Sequence, residues 1–306
     1  MIDKAHLRIL IAGASGFVGQ HLVAAWQAQH LITVLGRNRE KLQQRYPLLP
    51  AVSWDTLDTV SPSDFDIVVN LSGETINHLR WSKKIKASIL HSRLQATQRL
   101  VNWIAKNPHP ELHFISTSAL SIYGLFSKMP VISNTEATVI SQHDEFLTEV
   151  AYSWEQALQP LTQLKLSLTV MRLAVVLGKS GGAFPKLYFA AKCGLAAKLG
   201  SGQQPFAWIA IEDLVSAVDW IVQQKIVGAV NLVAPNTPTQ DQLSKLLSQH
   251  LHRPYFISCP GFMLHLFLGQ MAQEILLKGT EAKPEVLLNS GFTFKYKNFA
   301  DFTAQT

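Results

Sequence analysis

The segment LRILIAGASGFVGQHLVAAWQAQ, residues 7–29, constrains the fold of this chain more than any other part of it. A run of strand-forming apolar residues ends at Gly13, and a helical pattern begins at Phe17. Between them Gly13, Gly16 and Gly19 stand in a G-x-x-G-x-x-G frame. A strand that passes so quickly into a helix needs a tight turn, and the turn leaves amides at the helix head facing outward. Those amides and the helix dipole together favour an anion. The same arrangement holds a dinucleotide's pyrophosphate in doubly wound folds, with the third glycine letting the helix lie close to the strand.

The rest of the chain repeats the alternation. Strand-like runs occur at 31–37, 51–54, 65–73, 112–120, 166–178 and 228–235, and helical patterns at 38–46, 83–107 and 144–163. Strands separated by helices predict an α/β, Rossmann-like doubly wound parallel sheet. After Gly178 the pattern changes to the loops GKSGGAF and GSGQQPF, then to short helices interrupted by Pro260, Pro284 and Gly291. The expected division is an NAD(P)-binding domain over 1–177, joined by about 208–235, and a smaller C-terminal substrate-binding lobe from 178–207 and 236–306.

Composition narrows the function classes. Of the 306 residues, 47% are hydrophobic and 16% charged, which supports a full core and excludes disorder. Two cysteines without CxxC spacing exclude a disulfide framework or zinc site and fit a reducing, cytoplasmic compartment. The N-terminus does not read as a secretory leader, and the longest apolar runs are too short to span a membrane. No membrane or nucleic-acid partner is therefore expected, the latter because no basic–aromatic repeat occurs. The net charge of +6 is densest in RWSKKIKASILHSR, residues 80–93, read either as a solvated helix face or as attraction for an anionic ligand.

The residues after the second strand select the nucleotide. NAD-binding loops usually place a carboxylate there for the ribose hydroxyl. This chain has LGRNRE, with Arg37 and Arg39. A guanidinium can hold a 2′-phosphate by paired hydrogen bonds, so NADP is expected in preference to NAD.

GASGFVG, NLSGE and STSALSIYG resemble the short-chain dehydrogenase/reductase superfamily, extended or atypical branch. VVNLSGETINHLRWSKKIKASILHSRLQAT, FLTEVAYSWEQA, RLAVVLGKSGGAFPKL and GSGQQPFAWIAIEDL are similar to one subgroup, the predicted nucleoside-diphosphate-sugar epimerases of SDR39U type. The resemblance continues in NLVAPNTPTQDQLSKLL, LGQMAQEILLKG and GFTFKY, covering nearly the whole chain. It implies that Gly13, Ser15, Gly16, Phe17 and Val18 cradle the pyrophosphate and that Arg37 meets the adenosine phosphate. It places Leu71, Ser72 and Gly73 on the cofactor ribose, Ser116 and Thr117 toward the nicotinamide, and Arg172 and Leu173 near the same sheet end. Glu74, Arg80, Trp81 and Trp208 are the candidate substrate contacts. The chain departs from the subgroup at Ala210, where histidine is common, and at Gln270, where glutamate is common.

The superfamily's acid/base pair is Tyr-x-x-x-Lys, in which the lysine lowers the phenol's pKa. Tyr188 and Lys192 have that spacing, but they follow the sixth strand rather than precede it. On the expected helix, alignment at Glu155 puts Leu147 and Ala151 at the two positions, and Tyr152 has Gln156 four residues on. Ser118, able to orient a carbonyl or hydroxyl, and Tyr123, just past the fifth strand, are the candidate replacements. Two readings remain. One is an NADP-dependent oxidoreductase or epimerase, monomeric or homodimeric, acting on a small molecule such as a nucleotide sugar. The other is a non-catalytic NADP-binding sensor or scaffold.

Overall fold

A computed structural model describes residues 6–130, 132–140 and 144–305, so residues 1–5, part of the stretch on which the leader was judged, lie outside it. In chain order the elements are β1 (Arg8–Ala12), α1 (Phe17–Trp26), β2 (Leu31–Gly36), α2 (Arg39–Arg45), β3 (Ala51–Ser53), β4 (Ile67–Asn70), α3 (Lys83–Lys106), β5 (His113–Ala119), α4 (Phe146–Gln156), β6 (Ser167–Leu173), β7 (Val175–Gly178) and β8 (Gly181–Gly182). There follow α5 (Phe184–Lys192), β9 (Ala197–Leu199), β10 (Trp208–Ala210), α6 (Ile211–Gln223), β11 (Gly228–Leu232), α7 (Gln240–His250), β12 (Ile257–Cys259), α8 (Gly261–Leu268), α9 (Glu285–Asn289) and α10 (Phe299–Ala304).

Seven strands form one parallel sheet in the order β11-β6-β5-β4-β1-β2-β3. Strand β1 shows why. Its alternate residues serve two cores: Ile9 and Ile11 pack with Leu22, Trp26 and Ile221 on one face. Leu10 and Ala12 pack with Val68, Leu100 and Trp103 on the other. A strand covered on both faces by helices is apolar throughout. The strand order reverses where β1 lies between β2 and β4, and ligands of such sheets collect outside the strands' carboxyl ends at that reversal.

Two expected elements are shorter than the sequence suggests. The sixth strand does not run unbroken from 166 to 178. It leaves the main sheet after Leu173, and β7 joins a second sheet with β10 and β8. The β7–β8 hairpin packs directly on the Phe17 ring at the head of α1, where a Cβ at Gly181 would lie 2.5 Å from its Cδ2. The helix of 144–163 ends at Gln156 and resumes as a 3₁₀ turn at Gln159–Gln163. Pro160, without an N–H, cannot continue an α-helical ladder.

Trp208 is no cleft wall. It is fully buried, edge-on to Phe299 at 5.5 Å and tilted against Phe302 at 5.6 Å, and its indole N–H donates to the Asn236 carbonyl. The aromatic rings of α10 thus dock on the strand they cover. The C-terminal segment is pinned further by Asp213, whose carboxylate accepts from the Lys295 and Tyr296 amides.

His113 on β5 gives the fold an acid-sensitive point. Its Nε2 lies 2.7 Å from the Thr169 hydroxyl, which donates to the Ile226 carbonyl, so Nε2 carries a hydrogen and donates to Thr169. Burial pushes its pKa down to about 4. In the unfolded chain the same ring titrates near ~6.5. Between the two values only the unfolded chain takes up the proton, so stability falls as pH drops through that window, by about 3 kcal/mol in all. His113→Gln should flatten this slope in denaturant melts recorded across it.

Candidate functional site

The site begins at the turn after β1. Gly13 has φ +83°, and a Cβ there would stand 2.8 Å from the Leu71 carbonyl carbon and oxygen. The turn is closed by Gly16 N–H donating to the Gly13 carbonyl at 3.0 Å. A Cβ at Gly19 would lie 2.4 Å from the Gly13 oxygen and 2.8 Å from Ala14 Cα, so α1 rests directly on the turn's backbone. No side chain caps α1 and no acidic residue stands in its first turn. Its leading amides are left for an outside acceptor. Ser15 and Gly16 are exposed, while Ala14 is fixed from below by the Tyr46 hydroxyl donating to its carbonyl.

Arg37 follows β2 and is exposed, beside Asn38, which caps α2 by accepting from the Lys41 amide. Glu74 lies close enough to feel its charge. The Ser88 hydroxyl chiefly, and His78 and Arg37 with it, holds the Glu74 carboxyl below the usual carboxylate range. The expected substrate contact at Glu74 thus belongs to the Arg37 end of the crevice.

Under the loop after β4 lies a polar network whose centre the sequence did not single out. Asn70, fully buried, donates to Thr97 at 3.0 Å and Ser116 at 3.3 Å and accepts from the Ser72 amide at 3.2 Å. Trp154 donates to Thr97, and Thr117 to the Asn70 carbonyl. The side chains of Ser116 and Thr117, expected to face a nicotinamide, are therefore spent inside the sheet. A buried Asn ending an otherwise apolar strand was the available signal. Arg93 was also missed, hidden in the basic stretch. Its guanidinium donates to the carbonyls of Glu74 and Ile89, each at 2.9 Å, and lies 5.1 Å over the Trp154 ring. Burial pushes its pKa down to about 10. Arg93 props the Gly73–Glu74 backbone from beneath.

The two candidate catalytic residues and Arg172 form one buried cluster. Arg172 holds Glu155 in a fork, Nε to Oε1 and Nη2 to Oε2, both at 2.9 Å. Its Nη1 donates to the Tyr123 oxygen at 2.7 Å, and Tyr123 donates to Asn231 at 2.9 Å. Ser118 donates to Glu155 at 2.7 Å. Burial opposes the charge of Arg172, but Glu155 outweighs it and holds the guanidinium's pKa above its ordinary value. Burial pushes the Tyr123 phenol up despite Arg172 beside it. Such a phenol ionises less readily than a free one, so its phenolate is even scarcer near neutral pH. Ser118, Tyr123 and Arg172 thus rivet β5, β6, β11 and α4 together, instead of standing open to a ligand.

At the expected Tyr/Lys positions the helix presents Leu147, packed beside Trp81 and Ile89, and Ala151, fully buried. Tyr188 packs on Phe184 in a separate cluster, on α5, beyond the main sheet. Trp81 is itself a core residue, edge-on to Phe146 and donating to the Ile76 carbonyl, which corrects its reading as a substrate wall. Arg80 is exposed at the end of α8, near Gly269. Gln270 accepts from Lys86 at 3.0 Å and donates to Glu274 at 2.7 Å, and Glu274 accepts from the Phe146 and Leu147 amides that start α4. Ala210 is buried at the head of α6.

The family model described as the NAD dependent epimerase/dehydratase family matches residues 9–232, a span that holds the glycine turn and all seven strands of the main sheet. The chain belongs to that family. A second model, a domain of unknown function (DUF1731), matches residues 259–304. Among the family's curated members, the epimerase family protein YfhF of Bacillus subtilis is 31% identical over 95% of each chain. The epimerase family protein SSP1921 of Staphylococcus saprophyticus is 33% identical over 94% of this chain and 95% of its own. Of solved structures, the human epimerase family protein SDR39U1 (isoform 2) with NADPH superposes with a TM-score of 0.85 at 26% identity, covering 98% of both chains. A nucleoside-diphosphate sugar epimerase from Corynebacterium glutamicum gives 0.72 at 29% identity, covering 98% of this chain and 58% of that one. Family membership agrees with the expected resemblance and with the parallel Rossmann-like sheet. Among the described residues no helix is long and apolar enough to cross a membrane.

Proposed function

We propose that this chain is an NADP-dependent oxidoreductase or epimerase that acts on a nucleotide sugar. The observation that carries the reading is the uncapped head of α1, set at the strand-order reversal with the exposed Arg37 at the end of the neighbouring strand. The leading amides of α1, those of Phe17 and Val18, suit a pyrophosphate, and the Arg37 fork suits a 2′-phosphate. The human relative's NADPH supports the choice of nucleotide. When bound, the nicotinamide supplies a hydride acceptor and donor. The chain's own work is to hold the phosphates and, through Arg93 and Asn70, to fix the Leu71–Glu74 loop beside them.

In calorimetric titrations NADPH should bind more tightly than NADH. Arg37→Ala should weaken NADPH by about tenfold or more, the worth of a charged hydrogen-bonded pair, and leave NADH unchanged. Failure of both nucleotides to bind would overturn the reading. A panel of nucleotide sugars, followed by nicotinamide absorbance and product stereochemistry, then tests the reaction.

A second reading is favoured by one observation. Ser118, Tyr123 and Arg172 satisfy one another inside the protein, and the Tyr/Lys positions hold Leu147 and Ala151. A non-catalytic NADP sensor has that character. It requires NADPH binding without hydride exchange across the whole panel, and a single turned-over sugar excludes it.

A further inference from the structure

Helix α8 has the sequence GFMLHLFL, and none of its side chains is buried. Phe262 and Leu266 are 73% and 67% exposed, and Met263 and Phe267 are 40% and 67% exposed. These are two adjacent i, i+4 pairs, so they form one apolar ridge on one side of the helix. Phe256, 79% exposed, stands just before β12, which leads into α8. At the other end of the ridge, Arg80 Nε lies 3.7 Å from where a Cβ of Gly269 would be, and next to it Leu79 is 78% exposed. Lys86 donating to Gln270 holds the first turn of α3 against this end, and Lys83 and Lys84 in that turn are exposed. Clustered exposed side chains of this size mark an interaction site.

The charges around the ridge select its partner. No Asp or Glu occurs between Asp241 and Glu274, or between Glu74 and Glu111. Within those spans stand Lys245, Arg253, Arg80, Lys83, Lys84 and Lys86. Glu274, the carboxylate closest in sequence to α8, is buried and occupied at the head of α4. A second copy of this chain docked ridge to ridge would bring two rims of Arg80, Lys83 and Lys84 together, while Asp241, Glu74 and Glu274 are already engaged within their own chain, by the Tyr255 hydroxyl, by Ser88 and His78, and by the α4 amides. An anionic bilayer answers both features, taking the apolar side chains among its headgroups and acyl tails and the lysines at its surface. Such seating needs no membrane-spanning length, so it is compatible with the short apolar runs of the sequence.

We propose that the α8 ridge, with Arg80, Lys83 and Lys84 at its rim, seats this protein peripherally on anionic lipid surfaces. The inference is independent of the redox reading. The test is co-sedimentation of the full chain with vesicles of phosphatidylcholine and phosphatidylglycerol, against phosphatidylcholine alone. The expected result is binding to the mixed vesicles only, released when salt shortens the Debye length to about 3 Å. Phe262→Ser with Phe267→Ser should abolish it while the melting temperature is kept, since both side chains are exposed in the folded chain. Lys83→Gln with Lys84→Gln should weaken it by about 25-fold, roughly fivefold for each surface charge. No binding to mixed vesicles, or binding that neither double variant reduces, would overturn the proposal. So would a concentration-dependent dimer in light scattering that Phe262→Ser with Phe267→Ser converts to monomer, because the ridge would then belong to a second copy.

Discussion

Arg172→Met should lower the unfolding free energy by about 3–5 kcal/mol, the range for removing one partner of a buried ion pair. The side chains of Arg172 and Glu155 are 8% and 17% exposed, so solvent can do little for a stranded Glu155. The loss spreads beyond the pair, because the Tyr123 oxygen loses a donor and Ser118 is left on a carboxylate without its counter-charge. Urea melts would measure the effect directly. Combining Arg172→Met with Glu155→Leu should return much of the stability, since a buried pair replaced by apolar groups is often neutral. If Arg172→Met melts like the parent while NADPH binding falls, Arg172 is a ligand residue and not a rivet.

Gly19→Ala should weaken NADPH binding by at least about tenfold and cost about 1–3 kcal/mol of stability, the usual penalty for overpacking. One methyl group is enough because the atoms it meets are backbone, the Gly13 oxygen at 2.4 Å and Ala14 Cα at 2.8 Å. No side chain can rotate aside, so the head of α1 must lift from the turn, and the amides aimed at the phosphates lift with it. Calorimetry with NADPH measures the first loss and denaturant melts the second. Undiminished binding would mean that the phosphates are held elsewhere.

The sheet was legible because its strands are mostly apolar runs with helical segments between them. β1 could be read from five letters, as both of its faces are covered. The end of the sixth strand could not. LAVV continues the apolar run without a breaker, and the strand and ring that the segment packs with after Leu173, β10 and Phe17, lie far away in sequence. Trp208 was read as a candidate substrate contact because nothing in its neighbours reveals that α10, at the other end of the chain, covers it. Ser118 and Tyr123 were read as open polar groups at a strand end. Their partners lie 37, 49 and 108 residues away, and a group satisfied over such distances looks free in one dimension. The glycine turn was legible for the opposite reason, since its geometry is local.

The carboxylate of Glu274 at the head of α4 has a consequence for how this chain is made. The amides it receives, those of Phe146 and Leu147, leave the ribosome 128 and 127 residues ahead of it. Through most of synthesis that helix end has no acceptor from the chain's tail. The head of α4 therefore gains these two acceptors only once Glu274 has been made.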